Sequence, residues 1–444
     1  MEKKIKILML VTFFAPDSCI SAVRPSAITR YIDYDKFEVI VIRSGRISGK
    51  PDETLNQYLN KIRVISYDGQ YSDAEKYKRN EYISNGNPFE GNAHFTFLKS
   101  HAVRKALHWL YDPVQYLRYA VREKKKITSV IRNELQQEQF DVVFASFGDI
   151  GNALAARKVA DFYKCKLILD LRDPISSPLQ SSLLRFITGI IQKKVTNTAD
   201  LVTCVAKGLT KEISKITKTK VEFLPNGFVP IELEKLSDEN LVQRENRKLT
   251  FFYGGDLYKG RRDLSSVFEA IRELIDEGRI CISSIKVIYA GGAYQYLSEQ
   301  ASKYDLVNII ENHGYVSRKD VMELQAVSDI FLVATWNTIK EQGVLTGKFY
   351  ESIQNNMPVI ATVVGDMPGS EIGEVISEYN LGVCYEVANH ATTFQLLKKY
   401  IENAYQQKMI SGKVEYAPQN NPNFRFSYKA IARDFECIVK KLLK

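Results

Sequence analysis

The stretch Leu249-Thr250-Phe251-Phe252-Tyr253-Gly254-Gly255-Asp256-Leu257-Tyr258-Lys259-Gly260-Arg261-Arg262-Asp263 reads as a buried strand that stops at two glycines and turns through three cations before a helix. Its apolar run lacks polar alternation, as strands do in a sheet covered on both faces. Similar runs follow at Ile285 to Tyr289, Val307 to Ile310, Ile330 to Val333 and Pro358 to Thr362, each succeeded by a helical pattern. An earlier series runs through Ile5 to Thr12, Glu38 to Ile42, Asp141 to Ala145, Lys166 to Leu169 and Leu201 to Val205. Continuous apolar strands alternating with helices specify a doubly wound parallel sheet, and two series specify two such α/β domains.

Between the series, Leu224-Pro225-Asn226-Gly227 supplies a turn, and Glu232 to Lys248 is charged without a clear period. The expected boundaries are an N-terminal Rossmann-like domain over 1–225, a linker over 226–247 and a C-terminal domain over 248–423. Residues 70–96, rich in Asn, Gly, Ser, Tyr and charge, read as a long loop or insertion. Phe424 to Lys444 carries Tyr428, Ile431, Phe435, Ile438 and Leu442 at helical spacing and is expected to form a terminal helix.

With 45% hydrophobic, 25% charged and 11% aromatic residues, the 444-residue chain is not disordered and is long enough for two cores. Its surplus of +9, from 61 Lys and Arg against 52 Asp and Glu, suggests an anionic ligand or surface. Six scattered cysteines form no CxxC pair, so a reducing cytoplasm is the simplest setting. Met1 to Phe14 superficially resembles a signal peptide, but no small-residue cleavage site follows and it reads as a buried strand. No apolar stretch approaches the ~20 residues of a membrane-spanning helix; the longest, Leu183 to Ile191, is broken by Arg185.

Ligands of open parallel sheets sit at the carboxyl ends of the strands, so the residues after each run are the candidates. After the first strand, Ser21 and Ala22 allow close backbone approach and Arg24 offers a cation near a helix N-terminus; an ordinary loop with a solvated Arg is the alternative. Asp170-Leu171-Arg172-Asp173-Pro174 is either a local salt bridge or, through Asp173, a group for a sugar or acceptor hydroxyl. Gly254 and Gly255 permit backbone approach, and Lys259, Arg261 and Arg262 can neutralise a diphosphate. Further on, Thr346, Gly347 and Lys348 open a helix whose free N–H groups suit phosphate, and Glu351 offers two acceptor oxygens to ribose hydroxyls.

Other patterns fail. Gly343 to Lys348 has three residues between its glycines where a P-loop needs four, and Phe349 stands where Ser or Thr should hold magnesium. Gly148 and Gly151 do not complete a dinucleotide fingerprint, Asp33-Tyr34-Asp35 precedes a strand, and the five histidines show no ligand spacing, so neither a metal nor a cofactor is expected. From Lys99 to Lys126, cations including Lys124, Lys125 and Lys126 accompany Trp109, Tyr111, Tyr116 and Tyr119. This is either a helix for an anionic membrane or a solvated face over core aromatics, and no nucleic-acid-binding signature accompanies it.

Together, Asp170 to Pro174, Pro225-Asn226-Gly227, Tyr253-Gly254-Gly255 with Lys259-Gly260, and Gly343 to Glu351 followed by Asn356-Met357-Pro358-Val359-Ile360-Ala361 resemble family 4 glycosyltransferases of the GT-B fold. In particular they are similar to bacterial enzymes that build cell-surface polysaccharides. The resemblance implies two Rossmann-like domains facing a cleft, with residues 424–444 returning to the first domain. It implies a nucleotide-sugar donor, taken as a UDP-sugar, and a glycan or lipid-linked acceptor, with retention of configuration and no metal. It makes Lys259 a diphosphate contact, Arg261 or Arg262 a substitute for the Arg that many members carry at the position of Asp256, with Arg262 and Asp173 taken into the catalytic set. Thr346, Gly347, Lys348, Gly254 and Gly255 then line the donor's phosphates, Glu351 its ribose, Tyr315 and Val316 its base, and Ser21, Ala22 and Arg24 close from the other side. The expected setting is cytoplasmic, peripheral at the inner face of the cell membrane if the run Lys99 to Lys126 docks there. Counting back eight residues from Glu351 gives Gly343, so the family's first, sugar-facing Glu is absent, and Glu341 is out of register. A nucleotide-sugar epimerase, which would use the same cleft but needs acid/base carboxylates around the sugar, stays open, and Gly343 at the missing Glu also keeps open a non-catalytic nucleotide-sugar-binding protein.

Overall fold

The computed structural model describes residues 3–17, 19–45, 61–67, 101–177, 180–230, 248–339 and 341–444. The insertion expected at 70–96 and residues 231–247 of the expected linker lie outside the described residues. The chain divides into two units, Met1–Asn226 with Tyr428–Lys444, and Gly227–Ser427.

In the first unit the strands are β1 (Ile5–Leu10), β2 (Phe37–Arg43), β3 (Arg63–Ser66), β4 (Val142–Ser146), β5 (Lys166–Leu171), β6 (Leu201–Cys204) and β7 (Val221–Phe223). They form one parallel sheet in the order β3-β2-β1-β4-β5-β6-β7. Every residue of β4 and β6 is buried, as expected where helices cover both faces. The helix Tyr428–Leu443 packs on the helix Ile20–Tyr31 of this unit. Tyr428, Ile431, Phe435 and Ile438 are its buried stripe, Phe435 meets Phe144 edge-on at 4.9 Å, and Glu436 accepts the Asp33 backbone N–H at 2.8 Å.

The second unit holds β8 (Leu249–Gly254), β9 (Ile285–Ala290), β10 (Ile310–Asn312), β11 (Ile330–Trp336), β12 (Val359–Val364) and β13 (Gly382–Glu386). Their order is β10-β9-β8-β11-β12-β13, again parallel. The run Val307 to Ile310, expected as a strand, is a 3₁₀ turn at Val307–Ile309, and pairing with β9 begins only at Ile310. As an edge strand, β10 has one pairing partner, so little holds its first residues extended. Three strands escaped the sequence reading: β3 and β7, short and at sheet edges, and β13, which follows a left-handed Asn380.

Candidate active site

From β8 the second unit winds outward through β9 and β10, then returns beside β8 to wind the other way through β11 to β13. The carboxyl ends of β8 and β11 thus flank a topological switch point, where open α/β sheets hold ligands.

Gly255, one residue beyond β8, has φ +105°. Its N–H donates to the Ala290 carbonyl at 2.7 Å, and its carbonyl accepts the Tyr289 hydroxyl at 2.9 Å. A Cβ on Gly255 would fall 2.6 Å from both Cε and Nζ of Lys348, so glycine here lets the Lys348 stem lie across the end of β8. Lys348 is half-buried and makes no side-chain hydrogen bond or ion pair among the described residues. Burial pushes its ammonium below the usual lysine pKa; Glu351 opposes that shift, and Arg262 adds to it.

The next turn is left-handed at three successive residues, with φ +49° at Tyr258, +54° at Lys259 and +84° at Gly260. For the two residues with side chains this conformation costs roughly 1–2 kcal/mol each, and it leaves Lys259 exposed. Arg262, expected beside a diphosphate, is instead drawn inward: it is 9% exposed, and its Nη1 donates to the Asp256 carbonyl at 3.2 Å. Its guanidinium lies 4.5 Å from the Tyr258 ring centroid, so it braces the turn that carries Lys259. Arg261 is the exposed member of the pair, 4.3 Å over the Trp336 ring and 3.3 Å from Glu341. Glu341, out of register for the absent Glu, therefore serves as the partner of Arg261.

Thr346 precedes the helix Gly347–Gln354, and its hydroxyl is buried without a hydrogen-bond partner among the described residues. A Cβ on the exposed Gly347 would meet nothing within 4 Å, so the first turn, with its free N–H groups, is open to a ligand. Glu351 lies one turn further, its Oε2 accepting Nε2 of Gln325 at 3.1 Å. Gln325 is in turn fixed by Asn355 Nδ2, which donates to its Oε1 at 3.0 Å. The sequence reading missed Gln325 and Asn355, for an isolated amide 26 residues from its partner belongs to no motif. Tyr315 follows β10, is 87% exposed and lies against Gly292, whereas Val316 packs partly into the core.

In the first unit, Arg24 is not available to an anion. It is 1% exposed; Nε and Nη2 grip the two oxygens of Asp170 at 3.1 and 2.9 Å, Nη2 also donates to the Leu224 carbonyl, and Nη1 donates to the Pro225 carbonyl and Asn226 Oδ1. All five guanidinium N–H groups are committed, so Arg24 is a structural pin and not a donor contact. Ala22 is buried outright, Ser21 is half-buried with its carbonyl held by Arg172 at 3.2 Å, and Asp173 stays exposed at the end of β5. The switch point of this sheet, between β1 and β4, holds a polar group the sequence did not reveal: Thr12 donates to Asp149 Oδ2 at 3.0 Å and accepts Asn152 Nδ2 at 2.9 Å. Of the expected membrane lysines, Lys126 is tied to the buried Glu123 at 3.0 Å, Lys124 is half-buried and Lys125 is exposed. Among the described residues, no three His, Cys, Asp or Glu side chains gather as metal ligands, and no helix is long and apolar enough to cross a membrane.

Residues 234–415 match the family model of the group 1 glycosyl transferases. Among solved structures, the chain is similar to Anabaena HepE, crystallised with UDP and glucose, at 14% identity, TM-score 0.57, and coverage of 98% of this chain and 100% of that one. It is similar to the UDP-forming α,α-trehalose-phosphate synthase of Burkholderia vietnamiensis at 10% identity, TM-score 0.59 and 99% coverage of both chains. The sucrose-phosphate synthase of Thermosynechococcus elongatus aligns at 11% identity and TM-score 0.55, with 99% coverage of both chains. No match is found among curated proteins. Two parallel-sheet Rossmann-like units and these neighbours fit the GT-B fold, and the match to the group 1 glycosyl transferases falls within the second unit.

Proposed function

We propose, from the match of residues 234–415 to the group 1 glycosyl transferases, that the chain moves a sugar from a UDP-sugar to a glycan or lipid-linked acceptor in the synthesis of a surface polysaccharide. The observation that carries this reading is the convergence at one switch point of the exposed Lys259, the unpartnered Lys348, the open first turn at Gly347 and the amide-held Glu351. A nucleoside diphosphate offers what this set lacks: anionic oxygens for two ammonium groups and free helix N–H groups, and vicinal ribose hydroxyls for Glu351. The solved Anabaena complexes with UDP and glucose and with UDP-glucose support UDP as the nucleotide.

In the reaction proposed, the bond between the anomeric carbon and the diphosphate oxygen breaks as the acceptor oxygen bonds to that carbon from the same face, with retention. The acceptor proton passes to the departing oxygen, so no side chain need act as base and no metal is called for. Lys348 and Lys259 stabilise the charge growing on that oxygen, which is where preorganised cations lower a barrier most. Gln325 acts through Glu351, as a positioning residue. The protein would work in the cytoplasm, peripheral to the membrane that holds a lipid-linked acceptor.

A thermal-shift screen of UDP, GDP, ADP, CMP and dTDP, followed by transfer assays with the matching sugars, tests the reading, because a ligand that binds only the folded state raises its melting point. A selective shift with UDP and sugar transfer lost in Lys348→Ala are expected. The absence of a shift with any nucleotide would overturn the reading.

A further inference from the structure

The helix Ser182–Thr198 of the first unit, read from the sequence only as an apolar run too short to span a membrane, has one exposed face of unusual composition. Phe186 is 68% exposed and Ile190 55%, one turn apart, Lys193 and Lys194 are exposed on the same side, and Arg185 is exposed at the flank of that face. The helix contains no Asp or Glu, and none of these three cations is in an ion pair among the described residues. Its opposite side, Leu184, Thr188, Gln192, Val195 and Thr196, is buried, so the helix is firmly seated and this composition faces outward. At its start, the Ser182 hydroxyl accepts Nε1 of Trp109, itself 42% exposed, from the neighbouring helix His101–Glu134. That helix presents a second exposed line, Val114, Arg118, Val121, Arg122 and Lys125.

We infer that the exposed face of Ser182–Thr198, with Trp109 at its end, docks on an anionic lipid bilayer. Two large apolar side chains a turn apart, with an indole beside them and cations but no carboxylates around them, match the interfacial layer: the rings and the isoleucine enter the acyl boundary while the cations meet lipid phosphates. A protein partner with an acidic surface would match the cations but leave Phe186 and Ile190 in contact with charge. Docking thus moves away from Lys124 and Lys126, which the fold holds half-buried or paired, to a helix without an acidic residue. This deepens the peripheral membrane setting proposed above by naming its surface, and it does not depend on the sugar chemistry.

The full-length protein is sedimented with vesicles of phosphatidylcholine alone and with about a third phosphatidylglycerol, beside a UDP thermal-shift measurement and size-exclusion chromatography on each variant. Binding to the anionic vesicles is expected, falling about thirty-fold in Lys193→Gln/Lys194→Gln, at ~1 kcal/mol per basic residue, and at least about ten-fold in Phe186→Ser/Ile190→Ser. An unchanged elution volume and UDP response in both variants establishes that they are folded. Wild-type binding no stronger to anionic than to neutral vesicles, or variants that bind like the wild type, would overturn the inference. So would a wild-type dimer that Phe186→Ser/Ile190→Ser dissociates, since the face would then belong to a second copy. Lost vesicle binding with the UDP response kept is the expected docking phenotype, whereas vesicle binding by a wild type that ignores every nucleotide would sink the glycosyltransferase reading alone.

Discussion

The guanidinium of Arg24 and the carboxylate of Asp170, 146 residues apart in sequence, form a two-point ion pair inside the first unit, with the side chains 1% and 0% exposed. Asp170 also accepts the hydroxyls of Ser146 and Thr203, at 2.9 and 2.8 Å, so the carboxyl ends of β4, β5 and β6 meet on one carboxylate. Through Arg24 the same carboxylate is tied to the Leu224 and Pro225 carbonyls, where the first of the unit's two chain segments ends.

Removing one side of such a pair leaves a buried charge without compensation, at a cost of about 3–5 kcal/mol. Arg24→Leu is expected to lower the urea midpoint by that order and to leave the Michaelis constant for the donor unchanged in the folded fraction. A mutant of normal stability with a raised donor Michaelis constant would restore Arg24 to the phosphate site.

Gly255 and Gly347 make opposite predictions from one substitution. Gly255→Ala forces a Cβ onto a backbone at φ +105° and into the Lys348 stem, so both stability and donor binding should fall. Gly347→Ala meets nothing and adds a better helix former, so the melting temperature should hold or rise slightly while UDP affinity drops, because the methyl stands where phosphate would approach the helix N–H groups. Calorimetry with UDP on both proteins separates the two effects; an undiminished affinity in Gly347→Ala would remove phosphate from that helix end.

The main strands were legible because each is a buried apolar run, and because the glycine and cation turn after Tyr253 breaks the pattern where the strand ends. The short strands were not: Arg63–Ser66 and Val221–Phe223 sit at sheet edges with exposed or half-buried residues, and so lack the apolar run that marks a central strand. A local motif is what nominates Lys259 and Glu351 as candidates, whereas a side chain whose role is decided by a long-range partner is misread. Arg24 looked like an anion ligand because its position near a helix N-terminus suggests one, yet its partner lies four strands later in the chain. Arg262 is likewise claimed by a backbone carbonyl and two aromatic rings, neither of which spacing announces.

Lys259→Ala and Glu351→Ala should each cut donor turnover by about two orders of magnitude, the scale of losing one charge-stabilising contact, with little change in stability, since Lys259 is exposed and Glu351 makes a single side-chain hydrogen bond among the described residues. Gln325→Leu should act more weakly and mainly on the Michaelis constant, by freeing Glu351 to rotate. Asp33→Asn, at a surface turn paired with Lys36, should do nothing to turnover. Steady-state kinetics on the four variants decides the matter, and near-wild-type transfer by both of the first two would remove them from the site.

Lys348 carries a pH dependence whose sign can be worked through. Burial sets its pKa below the usual 10.5, so between its folded value and 10.5 the native protein holds fewer protons than the unfolded chain. Its charge therefore costs stability fully at pH below the folded pKa, and that cost is relieved as pH rises through it. A bound diphosphate acts in the opposite sense, because an anion beside the ammonium stabilises the protonated form. UDP affinity should then be constant while Lys348 is protonated and decline as pH climbs through its free-state pKa, with proton uptake on binding along that limb. Lys348→Met, which keeps the stem over Gly255 and drops the charge, should flatten this limb and lower affinity at neutral pH, yet raise the melting temperature of the nucleotide-free protein. Titration calorimetry in buffers of different ionisation enthalpy, from pH 7 upward, measures both the affinity and the proton count. A variant that loses stability without ligand, or one whose affinity keeps the wild-type pH profile, would mean that the ammonium meets something other than phosphate.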